Sequence, residues 1–341
     1  MSPPVVVTGA AGFIGRNTVA ALNRRGIDDL LLVDRLRRSE KWRNLRGLAY
    51  EDLIEPDALF AWLESSRGAR VDAIIHLGAC SSTTETDAGF LLENNYRYTR
   101  RLGEWALANG VRFIYASSAA TYGDGSVGYS DADDITPRLA PLNMYGYSKH
   151  MFDLWALRRG LFDRIVGLKF FNVFGPYEQH KGDMRSVVAK AFDEIAESGH
   201  VSLFRSYRDG IADGEQQRDF IYVDDAVRVI LHFMDHRDAS GLVNCGTGRA
   251  RTWLDLARAV FKGLELPADI RFIDMPEVIR DRYQYFTEAT IDKLRASGFR
   301  DPFIELEDAV SHYARHYLAP ERLQGGRADG LTARDTPGPR S

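Results

Sequence analysis

Short apolar runs and amphipathic segments alternate along the first half of the chain. Val5 to Val7 form an apolar run that breaks at a glycine-rich stretch and resumes with helical spacing through Val19 and Leu22, which predicts a strand, a turn and a helix. Further strands are predicted at Leu30 to Val33, Ala73 to Leu77, Arg112 to Ser118 and Ile165 to Phe171, and one of the intervening helices at about Asn95 to Ala108. This alternation predicts an α/β fold with a doubly wound parallel sheet.

The pattern loosens after residue 170, which predicts a second, smaller domain. We expect residues 1–170 to form the first domain, 171–318 a mixed α/β domain, and segments at about 218–250 to return to the first. The smaller domain is predicted to contain a long polar loop from Tyr207 to Gln217, helix caps at Asp224 and Thr252, and a last helix from about Ile304 to Tyr317. Residues 319–341 lack periodicity and are expected to be disordered.

Composition and charge narrow the class of protein. Against 48 Asp and Glu stand 44 Lys and Arg, a formal net charge of -4, so no basic excess favours binding to nucleic acid or an anionic membrane. No apolar run approaches the ~18 residues of a membrane helix, and the start has no signal-peptide pattern, so we expect a cytoplasmic protein. Cys80 and Cys245 lie far apart and outside any metal-type cluster, so we expect reduced cysteines and no metal site.

The glycine-rich stretch has the chemistry of a phosphate cradle. Gly9, Gly12 and Gly15 are spaced three apart between the first strand and the first helix, where the backbone can approach a pyrophosphate and place its charge on the helix-start amides. The second strand ends at Asp34, the position of a ribose-binding acid. The loop after Asp34 is basic and could hold a 2'-phosphate, which favours NADP over NAD; its cations are Arg35, Arg37, Arg38 and Lys41. The alternative is a solvated basic loop with no ligand.

A second group of chemical side chains follows the strand that ends at Ser118. Tyr145 and Lys149 are four residues apart on a predicted helix and so share one face. A phenol with a pKa near ~10 needs a neighbouring cation to act as a base at neutral pH, and the Lys149 ammonium can supply that charge. Ser118 could hydrogen-bond the same alcohol oxygen that Tyr145 deprotonates. Taken alone, the pair could also be a half-buried tyrosine and a surface lysine.

Together with Asn95, these motifs resemble the extended short-chain dehydrogenases/reductases, Rossmann-type enzymes that act mostly on nucleotide sugars. Three further stretches resemble the ADP-L-glycero-D-manno-heptose 6-epimerase family in particular: Gly78 to Glu85, Phe171 to Pro176 with His180-Lys181-Gly182, and Arg282-Tyr283-Gln284. The resemblance implies epimerisation at carbon 6 of ADP-D-glycero-β-D-manno-heptose, by transient oxidation to a ketone with retained NADP. It also implies a role in lipopolysaccharide inner-core synthesis, a homo-oligomer, and an NADP-binding first domain with substrate bound by the second.

The same resemblance assigns roles to individual residues. Tyr145, Ser118 and Lys149 would be catalytic, and Lys181 would be the second acid/base group, although a loop lysine is by itself more often solvated. Cofactor contacts are implied, besides the three glycines, for Ala11, Phe13, Ile14, Asp34, Arg35, Lys41, Leu77, Gly78, Ala79, Cys80, Ser81, Asn94, Asn95, Lys149 and Val173. Substrate contacts are implied for Ser82, Thr83, Asn172, Asp183, Lys190, Phe204, Arg205, Ser206, Tyr207, Arg218 and Tyr283.

The chain departs from the family pattern at several positions, and other functions are possible. Asp183 stands where serine is usual and Lys190 where histidine is usual, and the 207–217 loop is longer. A 4,6-dehydratase would need an acid pair after the catalytic hydroxyl, whereas Ala119 and Ala120 follow Ser118. A UDP-hexose 4-epimerase stays open from the fold, although Lys181 argues against it. A non-catalytic NADP-binding sensor would have no need of the tyrosine, serine and lysine together.

Overall fold

The computed structural model describes residues 3–280, 283–320 and Arg322. The strands of this part of the chain are β1 (Val5–Thr8), β2 (Leu30–Val33), β3 (Asp52–Ile54), β4 (Ala73–His76), β5 (Arg112–Ser118), β6 (Val166–Phe170), β7 (Asn172–Phe174), β8 (Val201–Phe204), β9 (Gln217–Tyr222), β10 (Gly241–Cys245), β11 (Ala250–Thr252) and β12 (Ile270–Ile273). The α-helices are α1 (Phe13–Arg24), α2 (Leu59–Leu63), α3 (Ala88–Leu91), α4 (Tyr98–Ala108), α5 (Met144–Arg158), α6 (Val187–Ser198), α7 (Val223–Asp235), α8 (Trp253–Leu264), α9 (Glu277–Arg280), α10 (Asp292–Ala296) and α11 (Leu306–Tyr313).

The central sheet of the described residues has seven parallel strands in the order β10-β6-β5-β4-β1-β2-β3. Alternate residues of its strands face opposite layers of helices. Val5 and Val7 pack in a core with α1 and α7, whereas Val6 packs in a core with α2, α4 and α5. Because both faces are covered, the predicted doubly wound parallel sheet is confirmed.

Smaller sheets lie beside the central one. Strand β9 pairs with β7 in parallel and with β11 in antiparallel fashion, while β12 pairs with β8 in parallel. Segments of the 218–250 region lie in both parts, since β9 belongs to the three-stranded sheet and β10 to the central sheet. The division into a cofactor domain and a substrate domain stays a prediction.

The strand order reverses between β1 and β4, and this position determines where a ligand can enter. In a doubly wound sheet, ligands bind at the carboxyl ends of the strands at that reversal. Here the turn after β1 and the loop after β4 touch, because a Cβ atom at Gly9, which has φ +68°, would lie 2.7 Å from the Gly78 nitrogen. The crevice is therefore formed by two backbone segments in direct contact.

Several predicted element boundaries are corrected by the structure. The helix expected from Asn95 begins at Ala88, since the Asp87 carboxylate accepts from the Phe90 amide, and it continues through a π-helical stretch, Leu92–Arg97, into α4. Asp224 does not cap α7: the N-cap is Tyr222, and Asp224 lies in the first turn, where its charge complements the helix dipole. The Thr252 cap is confirmed, with Asp255 completing a capping box.

Other parts of the smaller domain were only partly predicted. Strands β8 and β12, each four residues long, were missed. The last helix begins at Leu306 and continues beyond Tyr313 as a π-helical turn to Leu318. The expected disordered tail falls mostly outside the described residues, as does Arg282 of the Arg282-Tyr283-Gln284 stretch. Where the chain is described, none of its helices combines the length and the apolar character that crossing a membrane would require.

Candidate active site

The end of strand β5 and the first turns of helix α5 bring Ser118 and Tyr145 together. The helix begins after Asn143, whose side-chain oxygen accepts from the Gly146 amide at 2.8 Å. This cap places Tyr145 in the first turn, where its phenol is hydrogen-bonded with the Ser118 hydroxyl. Ser118 Oγ also accepts from the Ala120 amide at 3.1 Å. A hydroxyl and a phenol therefore meet at the carboxyl end of the sheet.

Lys149 is buried one turn after Tyr145 and is oriented by the backbone of β5. Its ammonium donates to the Ala116 carbonyl at 2.8 Å. Burial lowers the pKa of Lys149 to about 8, against the opposing effects of the Asp153 carboxylate and Cys80. The lysine therefore carries a proton that it can lose near neutral pH.

The pKa of Tyr145 corrects one expectation. Its pKa is raised from the ordinary value by burial, which outweighs the lowering by the Ser118 hydrogen bond. The sequence predicted a shift in the other direction, from the ammonium one turn away. The difference arises because burial penalises a phenolate, and because the Lys149 ammonium is directed at a carbonyl oxygen. In this state the phenol is an acid rather than a base.

Asn95 connects the loop after β4 to the helix that carries Tyr145 and Lys149. Its buried amide donates to the Cys80 carbonyl at 2.9 Å and to the Ser148 hydroxyl at 3.0 Å, and its oxygen accepts from the Cys80 amide at 2.9 Å. Asn94 donates to the Asn95 oxygen at 3.0 Å. Asn95 therefore fixes loop and helix relative to each other.

The glycine turn fits the dinucleotide that its sequence predicts. Gly12 is the N-cap of α1, and within the described residues no side chain caps that helix, so its first amides face the crevice. Asp34 is buried at the end of β2, where its carboxylate accepts from the Ala11 amide at 2.8 Å and from the Lys41 ammonium at 2.5 Å. A buried acid, helix-start amides without a side-chain cap and a close backbone turn thus lie together, as a dinucleotide site requires.

Gly15→Ala is expected to prevent dinucleotide binding. A Cβ at this position would overlap the Gly9 carbonyl oxygen, so the turn would have to open, at a cost of about 1–3 kcal/mol in unfolding free energy. Thermal unfolding and the amount of dinucleotide that co-purifies would measure both effects. Gly89→Ala is the matched control, because its Cβ would make ordinary contact with Asp87 at 3.4 Å. Normal dinucleotide content in Gly15→Ala would contradict this account of the turn.

The predicted cofactor residues are not all arranged as expected. Lys41 contacts Asp34, whereas Arg35 pairs with Asp57 at 2.7 Å. Val173, on β7, packs against the core, and the loop from Leu77 to Ser81 adjoins the glycine turn through Gly78. In the described part of the chain, no cluster of three His, Cys, Asp or Glu side chains could hold a metal ion.

Lys181 lies in a short helical segment, Gln179–Met184, that reaches the glycine turn. Its ammonium is 5.4 Å from the centroid of the Phe13 ring, and burial lowers its pKa, opposed by the Glu178 carboxylate. The Asn44 side chain is 3.2 Å from His180 Nδ1 and donates to the Ala11 carbonyl at 2.9 Å. This lysine is therefore partly desolvated and lies beside the candidate cofactor turn rather than free in solvent.

The same segment is anchored on its other side by a residue that the sequence did not reveal. Glu178 is fully buried, and its carboxylate accepts from the Ser186 amide at 2.5 Å, the Ser186 hydroxyl at 2.6 Å and the Tyr313 hydroxyl at 3.1 Å. Met184 at the end of the segment contacts Thr83 at 4.0 Å. The Lys181 segment is thus held between the glycine turn and the loop after β4.

A third group of predicted residues surrounds Arg218. This arginine is buried, and its guanidinium lies 5.3 Å from the Tyr283 ring centroid and 5.6 Å from that of Trp253. Phe204 packs edge-on against Tyr283 at 6.5 Å, and the Tyr207 amide donates to the Tyr285 hydroxyl at 3.1 Å. Of this group, Tyr283 and Tyr285 line a cavity of about 440 Å³, whose other lining residues are Asp124, Gly125, Ser126, Tyr129, Arg208, Gln284 and Phe286.

The remaining predicted substrate residues are more dispersed. Arg205 and Ser206 both contact Asp213 across the long loop. Asn172, Asp183 and Lys190 are exposed, and no described contact joins them to the Arg218 group. Ser82 hydrogen-bonds Thr84 within its own loop. The sequence also missed Trp253, Tyr129 and Asn44, which carry no local motif and come together only through the fold.

Comparison with known proteins agrees with this geometry. A family model described as the NAD dependent epimerase/dehydratase family matches residues 5–246. An ADP-L-glycero-D-manno-heptose-6-epimerase of Nitratidesulfovibrio vulgaris is 54% identical over 315 residues, 92% of this chain and 98% of the relative. One of Fusobacterium nucleatum is 46% identical over 93% of this chain and 98% of the relative.

A solved structure of a related protein has the same class of fold as this chain. The crystal structure of the Helicobacter pylori ADP-L-glycero-D-manno-heptose-6-epimerase aligns with a TM-score of 0.76 and 25% identity over 92% of this chain and 96% of that one. The chain belongs to the NAD-dependent epimerase/dehydratase family. Within that family it belongs to the ADP-L-glycero-D-manno-heptose-6-epimerases, which confirms the resemblance seen in the sequence.

Proposed function

We propose that this protein converts ADP-D-glycero-β-D-manno-heptose to its L-glycero epimer at carbon 6. The observation that carries the proposal is the meeting of Ser118 and Tyr145 above a buried Lys149, with a second partly desolvated lysine, Lys181, held at the glycine turn. Inversion of an alcohol carbon through a ketone needs proton transfer on two faces of that carbon, so two acid/base groups suit the reaction. The product would supply lipopolysaccharide inner-core heptose.

Tyr145 and Ser118 would act on one face of the sugar. Ser118 hydrogen-bonds the carbon 6 oxygen and Tyr145 exchanges its proton with that oxygen. Lys149 stabilises negative charge on the phenol as the proton moves, since the two side chains are one turn apart. The dinucleotide, which the glycine turn and Asp34 would hold, would supply the redox chemistry by taking hydride from carbon 6 and giving it back to the opposite face, with no net oxidation. Lys181 exchanges the proton for the other epimer.

The nucleotide diphosphate of the substrate would bind beside Arg218, next to the cavity that Tyr283 lines. A guanidinium fork matches phosphate oxygens, and aromatic rings such as Tyr283 provide surfaces for a base to stack on. Arg218 is held by its contacts with the Gln217 and Gln284 carbonyls, so its orientation is fixed before substrate arrives. The site would thus hold the charged end of the substrate away from the reacting carbon.

NADP is the proposed form of the cofactor. The Lys41 ammonium compensates the Asp34 carboxylate, which would otherwise repel a 2'-phosphate. We expect NADP to be the main dinucleotide released when the purified protein is denatured, as identified by chromatography and mass. Lys41→Met should lower the NADP content relative to NAD, while Lys262→Met, exposed on α8, should not. Release of NAD alone from the unaltered protein would contradict this preference.

The reaction can be tested by proton NMR of ADP-D-glycero-β-D-manno-heptose incubated with purified protein and no added dinucleotide. Appearance of the L-glycero epimer would support both the reaction and a retained cofactor. If nothing changes, adding NADP and then NAD distinguishes a lost cofactor from a wrong substrate. Inactivity with both, together with turnover of UDP-hexoses, would replace this proposal by a 4-epimerase.

We also propose an oligomeric state and a cellular location for the protein. We expect a homo-oligomer, so light scattering in solution should give a mass that is a multiple of 38.4 kDa. We expect the protein to act in the cytoplasm, because a charged nucleotide diphosphate does not cross a lipid bilayer unaided. A mass equal to that of one chain would contradict the oligomer.

A further inference from the structure

A fully buried ion pair lies beneath the candidate active site and has no role in the chemistry proposed so far. Lys169 on β6 and Asp153 on α5 both have no exposed side-chain surface, and the Lys169 ammonium lies 3.2 Å from an Asp153 carboxylate oxygen. Removing two charges from water costs several kcal/mol each before their attraction is counted, so such a pair rarely serves stability alone.

Hydroxyl groups complete the hydrogen bonding of the pair. The Asp153 carboxylate accepts from the Tyr115 and Ser117 hydroxyls, each at 2.7 Å. The Lys169 ammonium donates to Thr121 Oγ1 at 2.6 Å and lies 4.8 Å from the Tyr122 ring centroid. Each charged group therefore has both an opposite charge and directed hydrogen bonds, which keeps its geometry fixed.

The hydrogen-bonded cluster around Asp153 and Lys169 involves both elements that carry the Ser118 and Tyr145 pair, helix α5 and the end of β5. Asp153 follows Lys149 by one helical turn on α5, so the two side chains share a face. On the strand side, Ser117 adjoins Ser118, and the Thr121 hydroxyl donates to the Ser118 carbonyl at 2.8 Å. Helix α5 and the end of β5 are thus tied together through one buried cluster.

We propose that Asp153, held by Lys169, is a positioning residue that keeps the Lys149 ammonium charged and fixes Ser118 relative to Tyr145. The catalytic consequence rests on the proposed function, but the effect on Lys149 does not. Asp153 touches neither substrate nor cofactor in this account. It acts on Lys149 by its charge and on Ser118 through the hydrogen bond that it accepts from the neighbouring Ser117 hydroxyl.

The charges around Lys149 support an electrostatic role for Asp153. Burial lowers the pKa of Lys149 to about 8, and the Asp153 carboxylate is the strongest opposing influence, ahead of Cys80 on the loop after β4. His76 on β4 also faces Lys149, but burial and the ammonium lower the pKa of His76 to about 3, so it is neutral. Titratable groups around the pair itself are Lys149, Tyr115, Tyr122, His150, Asp131 and Lys293.

The titration of Lys149 can be measured directly and without substrate. The chain has few lysines, so ¹³C labels at lysine Cε give resolvable NMR signals. The Lys149 signal is assigned by its loss in Lys149→Arg. In the unaltered protein, purified with its dinucleotide, we expect this signal to titrate well below the ordinary lysine pKa of ~10.4. The measurement stays informative even if the heptose proves to be the wrong substrate.

Asp153→Asn is expected to lower the pKa of Lys149 by about one unit or more, because it removes the charge that most strongly favours the Lys149 ammonium. Asp153→Asn leaves the Lys169 ammonium buried without its partner. The double variant Asp153→Asn/Lys169→Met removes both charges, and we expect the same fall in the pKa of Lys149. Asp163→Asn, at an exposed position just beyond α5, is the matched control and should leave the Lys149 titration unchanged.

Kinetics then separate positioning from mere structural damage. A one-unit fall in the pKa of Lys149 from about 8 should reduce kcat about fivefold at pH 8 and much less at pH 6, because a lysine keeps its proton below its pKa. Equal losses at all pH values with an unchanged Lys149 titration would overturn the proposal. Failure of both variants to fold would overturn it too, since the pair would then be required for the fold itself.

Discussion

Tyr145→Phe is expected to lower kcat by about 10²- to 10⁴-fold, the usual worth of a positioned proton donor and acceptor. Phenylalanine keeps the ring and its packing but removes the hydroxyl that Ser118 hydrogen-bonds. Initial rates of epimerisation with the heptose substrate, measured by NMR, would give the loss.

Tyr147→Phe is the matched control for this change. Tyr147 lies on the same helix two residues later, but its side chain is 48% exposed, so removing its hydroxyl should leave kcat near the unaltered value. Dinucleotide content should stay normal in both variants, since the glycine turn is untouched. If Tyr145→Phe retained most of the activity, Tyr145 would not be the acid/base group. That result would favour the alternative of a non-catalytic NADP-binding sensor.

Lys181→Met is expected to lower epimerisation by about 10²-fold or more. The two half-reactions, which are the oxidation of each epimer by the bound dinucleotide, should be affected differently. With Tyr145 intact, one epimer should still be oxidised and should still reduce the bound nicotinamide, as seen by near-ultraviolet absorbance, whereas the other epimer should not. A solvated loop lysine would produce no such asymmetry.

A matched substitution tests whether the effect belongs to position 181. Lys262→Met removes an exposed lysine from α8 and should change neither half-reaction. Since Lys181 is 5.4 Å from the Phe13 ring, its loss should also be checked against dinucleotide content, which we expect to be normal. Oxidation of both epimers at ordinary rates by Lys181→Met would remove this lysine from the mechanism and leave Tyr145 as the only acid/base group.

The features that could be predicted from sequence depend on short stretches of chain. Strand β2 and the acid that follows it, Asp34, were found because four apolar residues and one carboxylate are contiguous. The Ser118, Tyr145 and Lys149 group was found because a strand end and an i,i+4 pair are local patterns. Where a helix starts was less certain: α3 begins at Ala88 because of Asp87, a cap that is easily read as part of a polar loop.

Contacts that join distant residues could not be predicted. Glu178 meets Tyr313 across 135 positions, and Arg218 contacts the Gln284 carbonyl across 66. Neither pairing leaves a periodic signal, so the anchoring of the Lys181 segment and the burial of Arg218 required the fold. The pKa of Tyr145 was likewise mispredicted, because spacing along a helix gives proximity to Lys149 but not the loss of water around the phenol.

Isotope retention at carbon 6 tests the central claim most directly. The protein is incubated in ordinary water with ADP-D-glycero-β-D-manno-heptose that carries deuterium on carbon 6, and the product is examined by NMR and mass. Transient oxidation with return of the same hydride predicts an L-glycero product that keeps its deuterium, with a slower rate than the protonated substrate. Epimerisation with replacement of the deuterium by solvent hydrogen would contradict the account, because the hydrogen would then have left as a proton.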